Sequence, residues 1–107
     1  METVSIKFED KDYELNFDPE KDCIIIDLDR PLSFGQEKYT QIELQAPTWE
    51  ILDSIDLTKM NFANIRKLAS KMSGLDSIRL GKIKGGDIKK IMVGVMYFLQ
   101  QSLGETK

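Results

Sequence analysis

Apolar side chains recur at every second position up to Leu44 and at every third or fourth position after Pro47. A period of two marks a strand with one covered face, and a period of three to four marks a helix with one apolar stripe. That single change of period confines the chain to the α+β class, a β-rich part followed by a helical part. Val4, Ile6 and Phe8 alternate within residues 3–8, and Tyr13, Leu15 and Phe17 within 13–17. The polar turn Glu9-Asp10-Lys11-Asp12 between them predicts an antiparallel hairpin. Asp18-Pro19-Glu20-Lys21-Asp22 is a second turn, with proline presetting its backbone. Cys23 to Leu28 is rich in β-branched residues and predicts a strand that Arg30-Pro31 ends. Ser33–Lys38, with Gly35, reads as a loop before Tyr39–Leu44 resumes extended structure, so a small sheet covers about residues 3–45.

Three to four helices are predicted beyond that point, over about 48–56, 61–73, 76–80 and 87–103. Pro47 suits a first helical position and Thr48 suits an N-cap. Trp49, Leu52 and Ile55 supply apolar surface to this first helix. Asn61 is the expected cap of the next helix, whose face carries Phe62, Ile65, Leu68, Ala69 and Met72. Gly74 after Ser73 is a left-handed stop. Asp87 is the expected cap of the longest helix, in which Ile88, Ile91, Met92, Val95, Met96, Phe98, Leu99 and Leu103 fall within an arc of about 160°. Val93 and Tyr97 fall outside that arc, four residues apart, as a second apolar spot.

A length of 107 residues fits one domain, 1–107, with enough interior to fold without metal or disulfide. The chain contains no histidine, which removes the commonest general base and metal ligand and points away from catalysis. Its one cysteine, Cys23, precedes an apolar run and reads as a small core residue. No apolar run reaches a membrane span and no secretory signal opens the sequence, so an intracellular protein is expected.

Charge divides the chain as sharply as periodicity does. Residues 1–56 carry 15 acids and 5 bases, and residues 57–107 carry 3 acids and 10 bases. The bases Arg79, Lys82, Lys84, Lys89 and Lys90 face either an acidic partner or the chain's own acidic half. No aromatic residue lies within 79–90 to stack on a base, and the net charge is −3, so nucleic acid is not the expected partner. Asp27 and Asp29 share one face of a strand, the arrangement of paired carboxylates that bind a cation or exchange protons. With no third ligand beside them they read as a solvated strand end. Lys82-Ile83-Lys84-Gly85-Gly86-Asp87 meets a helix start, where phosphate can bind. It lacks the GxxxxGK[ST] spacing, and Asp87 would compete for the same amides.

The order of features carries a resemblance. Pro31-Leu32 and Gly35 are followed by Tyr39-Thr40-Gln41-Ile42-Glu43-Leu44 and Ala46-Pro47-Thr48. Then come Leu68-Ala69-Ser70-Lys71-Met72-Ser73-Gly74-Leu75, Ile78, Ile83, Asp87 and a last apolar helix with Phe98-Leu99. Over about residues 28–103 this resembles the tail assembly chaperones of Mu-like and P2-like contractile-tailed phages. The hairpin at 3–17 departs from the simplest members, which start near the equivalent of Pro31. The resemblance implies a small protein of the bacterial host cytoplasm that binds the tape measure protein during tail assembly and is absent from the mature virion. It implies no catalytic residue, cofactor or metal, and often a longer form made by frameshifting. It also implies that Trp49 packs across the strand-to-helix junction. The expected contact face is the Val93–Tyr97 spot, with Met92, Met96, Lys89 and Lys90 beside it, and that spot also invites self-association. A structural or adaptor protein of the tail, or a generic interaction domain, is the alternative.

Overall fold

The computed structural model describes residues 2–102. Four strands, β1 (Glu2–Phe8), β2 (Lys11–Asp18), β3 (Cys23–Phe34) and β4 (Glu37–Gln45), form one antiparallel sheet in sequence order. Four helices follow: α1 (Trp49–Asp53), α2 (Phe62–Ser73), α3 (Ser77–Leu80) and α4 (Gly86–Ser102). The α+β arrangement and its order are those that the change of period demands.

Register explains why one face of the sheet is apolar. Val4 stands opposite Leu15, Ile6 opposite Tyr13, Phe17 opposite Ile24, Ile24 opposite Leu44 and Ile26 opposite Ile42. Directly opposed residues share a face, so the alternation of each strand adds up to one continuous surface. The helices cover it: α2 packs on β4, and α4 packs on β3 and β1 and against α2. A single cluster joins Ile6, Leu15, Ile24, Ile42 and Leu44 of the sheet to Leu68, Met72, Val95 and Phe98 of the helices. Gly94 sets the depth of α4. A Cβ at this position would lie 2.8 Å from Leu44 Cδ1 and 3.1 Å from Ile26 Cδ1, so the absent side chain lets the helix backbone rest on the strands.

Helix ends follow local chemistry. Thr48 Oγ1 accepts from Ile51 N–H (3.3 Å) and Asn61 Oδ1 from Asn64 N–H (2.9 Å), the caps expected of them. Gly74 ends α2 at φ +80°. Leu103 and the rest of 103–107 lie outside the described residues.

Four local expectations need correction. The first hairpin closes through two residues, Glu9 and Asp10, because both adopt positive φ (54° and 64°) and Phe8 pairs with Lys11. Two successive positive-φ residues make a type I′ turn, whose twist matches the strands, so Lys11 and Asp12 belong to β2. Second, β3 does not end at Arg30-Pro31 but continues to Phe34, which pairs with Glu37 across the Gly35-Gln36 turn. Four residues, Leu28 to Pro31, stand opposite the single Thr40 in a bulge, and Pro31 is tolerated there because no ladder hydrogen bond is needed. Third, α1 stops at Asp53 rather than near residue 56, and Ser54 closes it by donating its hydroxyl to the Ile51 carbonyl (2.6 Å). Fourth, Trp49 does not pack across the junction. It is 82% exposed, because its place in the first turn of α1 points it away from the sheet.

Candidate functional site

The α4 helix carries every residue expected to bind a partner, and its surroundings decide what each one does. The sequence predicts Asp87 as the cap of this helix. Instead α4 begins at Gly86, and the Asp87 carboxylate turns to β3, where Oδ1 accepts from Asp29 N–H and Oδ2 from Arg30 N–H, both at 2.9 Å. These amides sit in the bulge and lack ladder partners, and a buried N–H without an acceptor is costly. The bulge therefore competes for the carboxylate and wins. Asp87 is 1% exposed. Burial alone drives its carboxyl upward, but the two backbone donors and the Lys90 ammonium outweigh burial and hold it below its ordinary value of 3.8.

Lys90 lies one turn further on. Its Nζ donates to the Asp27 carbonyl (3.0 Å), contacts Asp29 Oδ1 at 3.1 Å and approaches Asp87 Oδ1 at 3.6 Å. The hydrogen bond with Asp29, against the opposing effect of burial, holds Lys90 above its ordinary value. Asp27 accepts from Gln41 Nε2 at 2.8 Å. The two carboxylates thus have separate partners, and no group of three His, Cys, Asp or Glu side chains placed to hold a metal occurs among the described residues.

Lys89, Val93 and Tyr97 follow one another at intervals of four on one side of α4. Lys89 Nζ lies 2.9 Å from Glu9 Oε1 and 5.9 Å from the ring centroids of both Phe8 and Tyr13. This side of the helix therefore meets the β1–β2 hairpin. Val93 is 1% exposed and Tyr97 is half-buried against the same core. Burial, followed by the charges of Asp22 and Glu2, raises the Tyr97 hydroxyl above its ordinary value. The expected Val93–Tyr97 contact face is thus an internal seam. A helical wheel places these residues off the core because it assumes one neighbour, whereas α4 has three. Met92 and Met96 are half-buried on the core cluster.

The apolar surface left open lies elsewhere. A cavity of about 470 Å³ opens between α2, the loop after α3, and the first turns of α4. Phe62, Ile65, Ala69, Ile83, Ile88 and Met92 wall it, and Arg66 stands at it as the one cation. Phe62 is 72% exposed and Ile88 38% exposed, although both occupy positions of the expected core faces. Each stands in the first turn of its helix at the mouth of this cleft, where the neighbouring elements leave it partly uncovered. Of the expected contact residues only Met92 lines this groove. The signal in the sequence is a surplus: two long helices offer more apolar positions than one sheet face can cover.

The chain's acidic half answers much of its basic half. Arg79 contacts Glu37 Oε1 at 2.9 Å and Asp76 Oδ2 at 2.7 Å, with its guanidinium 5.1 Å from the Phe34 ring centroid. With Lys89–Glu9 and Lys90–Asp29, three of the five clustered bases are paired with residues of the first half. Cys23 is fully buried, as a small core residue should be, and burial followed by Glu43 and Asp18 raises its thiol above the ordinary value.

No family model, no curated protein and no solved structure matches this chain. The geometry of the groove and of the charged side chains is therefore what the functional reading stands on, together with the order of sequence features. Among the described residues no helix is long and apolar enough to cross a membrane.

Proposed function

We propose that this chain is a non-catalytic binding domain that takes an apolar helical stripe of a partner protein into the groove between α2 and α4. The observation that carries the reading is the open cavity flanked by Phe62 and Ile88, large apolar side chains left in water at a cleft between helices. Such surface costs solubility unless it is used. An amphipathic helix presenting anchors at three- and four-residue spacing fits a groove of this kind, and Met92 supplies an adaptable wall.

The more specific reading is that of a tail assembly chaperone in a phage or prophage. Its support is the order of features from Leu28 to Leu103, with Pro47-Thr48 at the strand-to-helix junction. In this role the domain covers apolar helical stripes of the tape measure protein in the host cytoplasm until the tail tube encloses them, and then departs. A contact confined to one groove suits reversible binding, since the large apolar interfaces belong to permanent complexes.

Co-purification of tape measure fragments with the wild type and with Phe62→Ser/Ile88→Glu tests both levels. The two positions are exposed, so the double variant keeps its far-UV circular dichroism and loses the fragments. Retained co-purification removes the groove from the account. Mass spectrometry of purified virions separates the chaperone from a structural tail component, since a chaperone is absent from the particle.

A further inference from the structure

The loop that joins α3 to α4 has two chemical faces. Gly81 and Ile83 line the apolar groove, whereas the alternate residues Lys82 and Lys84 line a second cavity of about 280 Å³. The opposite wall is the β3 segment Arg30–Phe34, which adds Arg30 and Ser33. Three cations therefore surround one cavity in a chain whose net charge is −3.

Arg30 and these two lysines differ from the other three bases of the cluster. Arg79, Lys89 and Lys90 are paired with carboxylates of the acidic half. Arg30, Lys82 and Lys84 have no ion-pair partner among the described residues. Arg30 is also positioned at both ends. Its backbone N–H is held by Asp87, and its Nη1 reaches the Lys84 carbonyl at 3.5 Å. Gly85, at φ +69°, leaves space for the guanidinium, since a Cβ there would collide with Nη1.

We propose that the Arg30–Lys82–Lys84 cavity is the acid-binding end of the helix groove, so that the partner is an amphipathic helix flanked by a run of Asp or Glu. This rests on the groove reading and adds the chemistry of the partner's flank. The two cavities share one short loop, so a helix leaving the groove across residues 81–84 delivers its flanking residues to the cations. Charge complementarity selects carboxylates for that flank. A nucleic acid fits less well, because the one aromatic ring of this cavity, Phe34, already has the Arg79 guanidinium over it.

The probes are two synthetic peptides of about 20 residues with the same leucine stripe at helical spacing, one flanked at both ends by Glu and the other by Gln. Titration calorimetry is expected to give the Glu peptide about tenfold tighter binding at low salt. The advantage disappears in Lys82→Glu/Lys84→Glu and fades at about 0.5 M salt, while the Gln peptide binds wild type and variant alike. Equal binding of both peptides to the wild type overturns the acid-binding assignment and leaves the groove reading standing. Failure of both peptides to bind overturns both. Binding of a labelled oligothymidylate that Lys82→Glu/Lys84→Glu abolishes overturns the proposal in favour of nucleic acid. Lys82→Gln/Lys84→Gln and the salt titration of the wild type make the same distinctions if charge reversal impairs folding.

Discussion

The carboxylate of Asp87 and the backbone N–H of Asp29 lie 58 positions apart in the chain and 2.9 Å apart in the fold. Arg30 N–H completes the pair of donors at the same distance. One side chain at the start of α4 thereby closes the bulge of β3, fixes the helix against the sheet and anchors the backbone of Arg30 beside the basic cavity.

Asp87→Asn is expected to lower stability by about 2–3 kcal/mol, because the amide can accept from one bulge N–H while its NH2 faces the other, donor against donor. The folded carboxyl is held below its ordinary value of 3.8, so its contribution is complete above that value and is lost as pH falls through the lower folded value. The gap between wild type and Asp87→Asn therefore narrows below about pH 4. Urea unfolding at neutral and acid pH measures both effects, and a gap that is constant with pH would count against the assigned hydrogen bonds.

Gly94→Val should cost about 2–3 kcal/mol through overpacking, since Leu44 Cδ1 and Ile26 Cδ1 already stand 2.8 and 3.1 Å from the site of a Cβ and both residues are buried. Gly94→Ala costs less, because the gain in helix propensity of about 1 kcal/mol offsets part of the clash. Thermal unfolding of the two variants ranks them, and a Gly94→Val protein as stable as the wild type would mean that α4 does not sit this close to the strands.

Trp49 makes a sensitive optical check. At 82% exposure its emission in the native state already resembles that of a solvated indole. Unfolding by urea should shift the emission maximum little, and Trp49→Ala should change stability by less than about 0.5 kcal/mol. A large red shift on unfolding would place the indole in the core.

The Glu9-Asp10 turn holds two non-glycine residues at positive φ. Asp10→Gly removes a left-handed strain of about 1 kcal/mol and adds freedom to the unfolded chain, for a net gain of about 0.5 kcal/mol. Melting should rise by about 2–4 °C. Asp10 is preferred to Glu9 for this test because Glu9 is occupied by Lys89. A lower melting temperature would indicate a different turn.

Much of the fold was legible because its causes are local. Caps at Thr48 and Asn61 and the stop at Gly74 act within a few residues of themselves, and each stands where its chemistry requires. Bulges and two-residue turns were less legible. The ladder of β3 resumes at Leu32 because Tyr39 is there to pair with it, and that partner is set by the turn between them. The candidate site was the least legible part. Whether Val93 is outside and Phe62 inside depends on how many elements surround α4 and where the sheet ends beneath α2, neither of which a helical period encodes.

Taken alone, the sequence determined the class, the order of strands and helices and the face each strand would bury, since a period of two or of three to four dictates which side chains share a side. It also set an acidic half of the chain against a basic one. Tertiary structure decided which charges neutralise each other, turned Asp87 from a helix cap into a closure for the β3 bulge, and moved the open apolar surface from Val93 and Tyr97 to Phe62 and Ile88. The reason is physical: periodicity specifies a direction around one element's own axis, whereas burial depends on what other elements occupy that direction, and only the packed chain settles that.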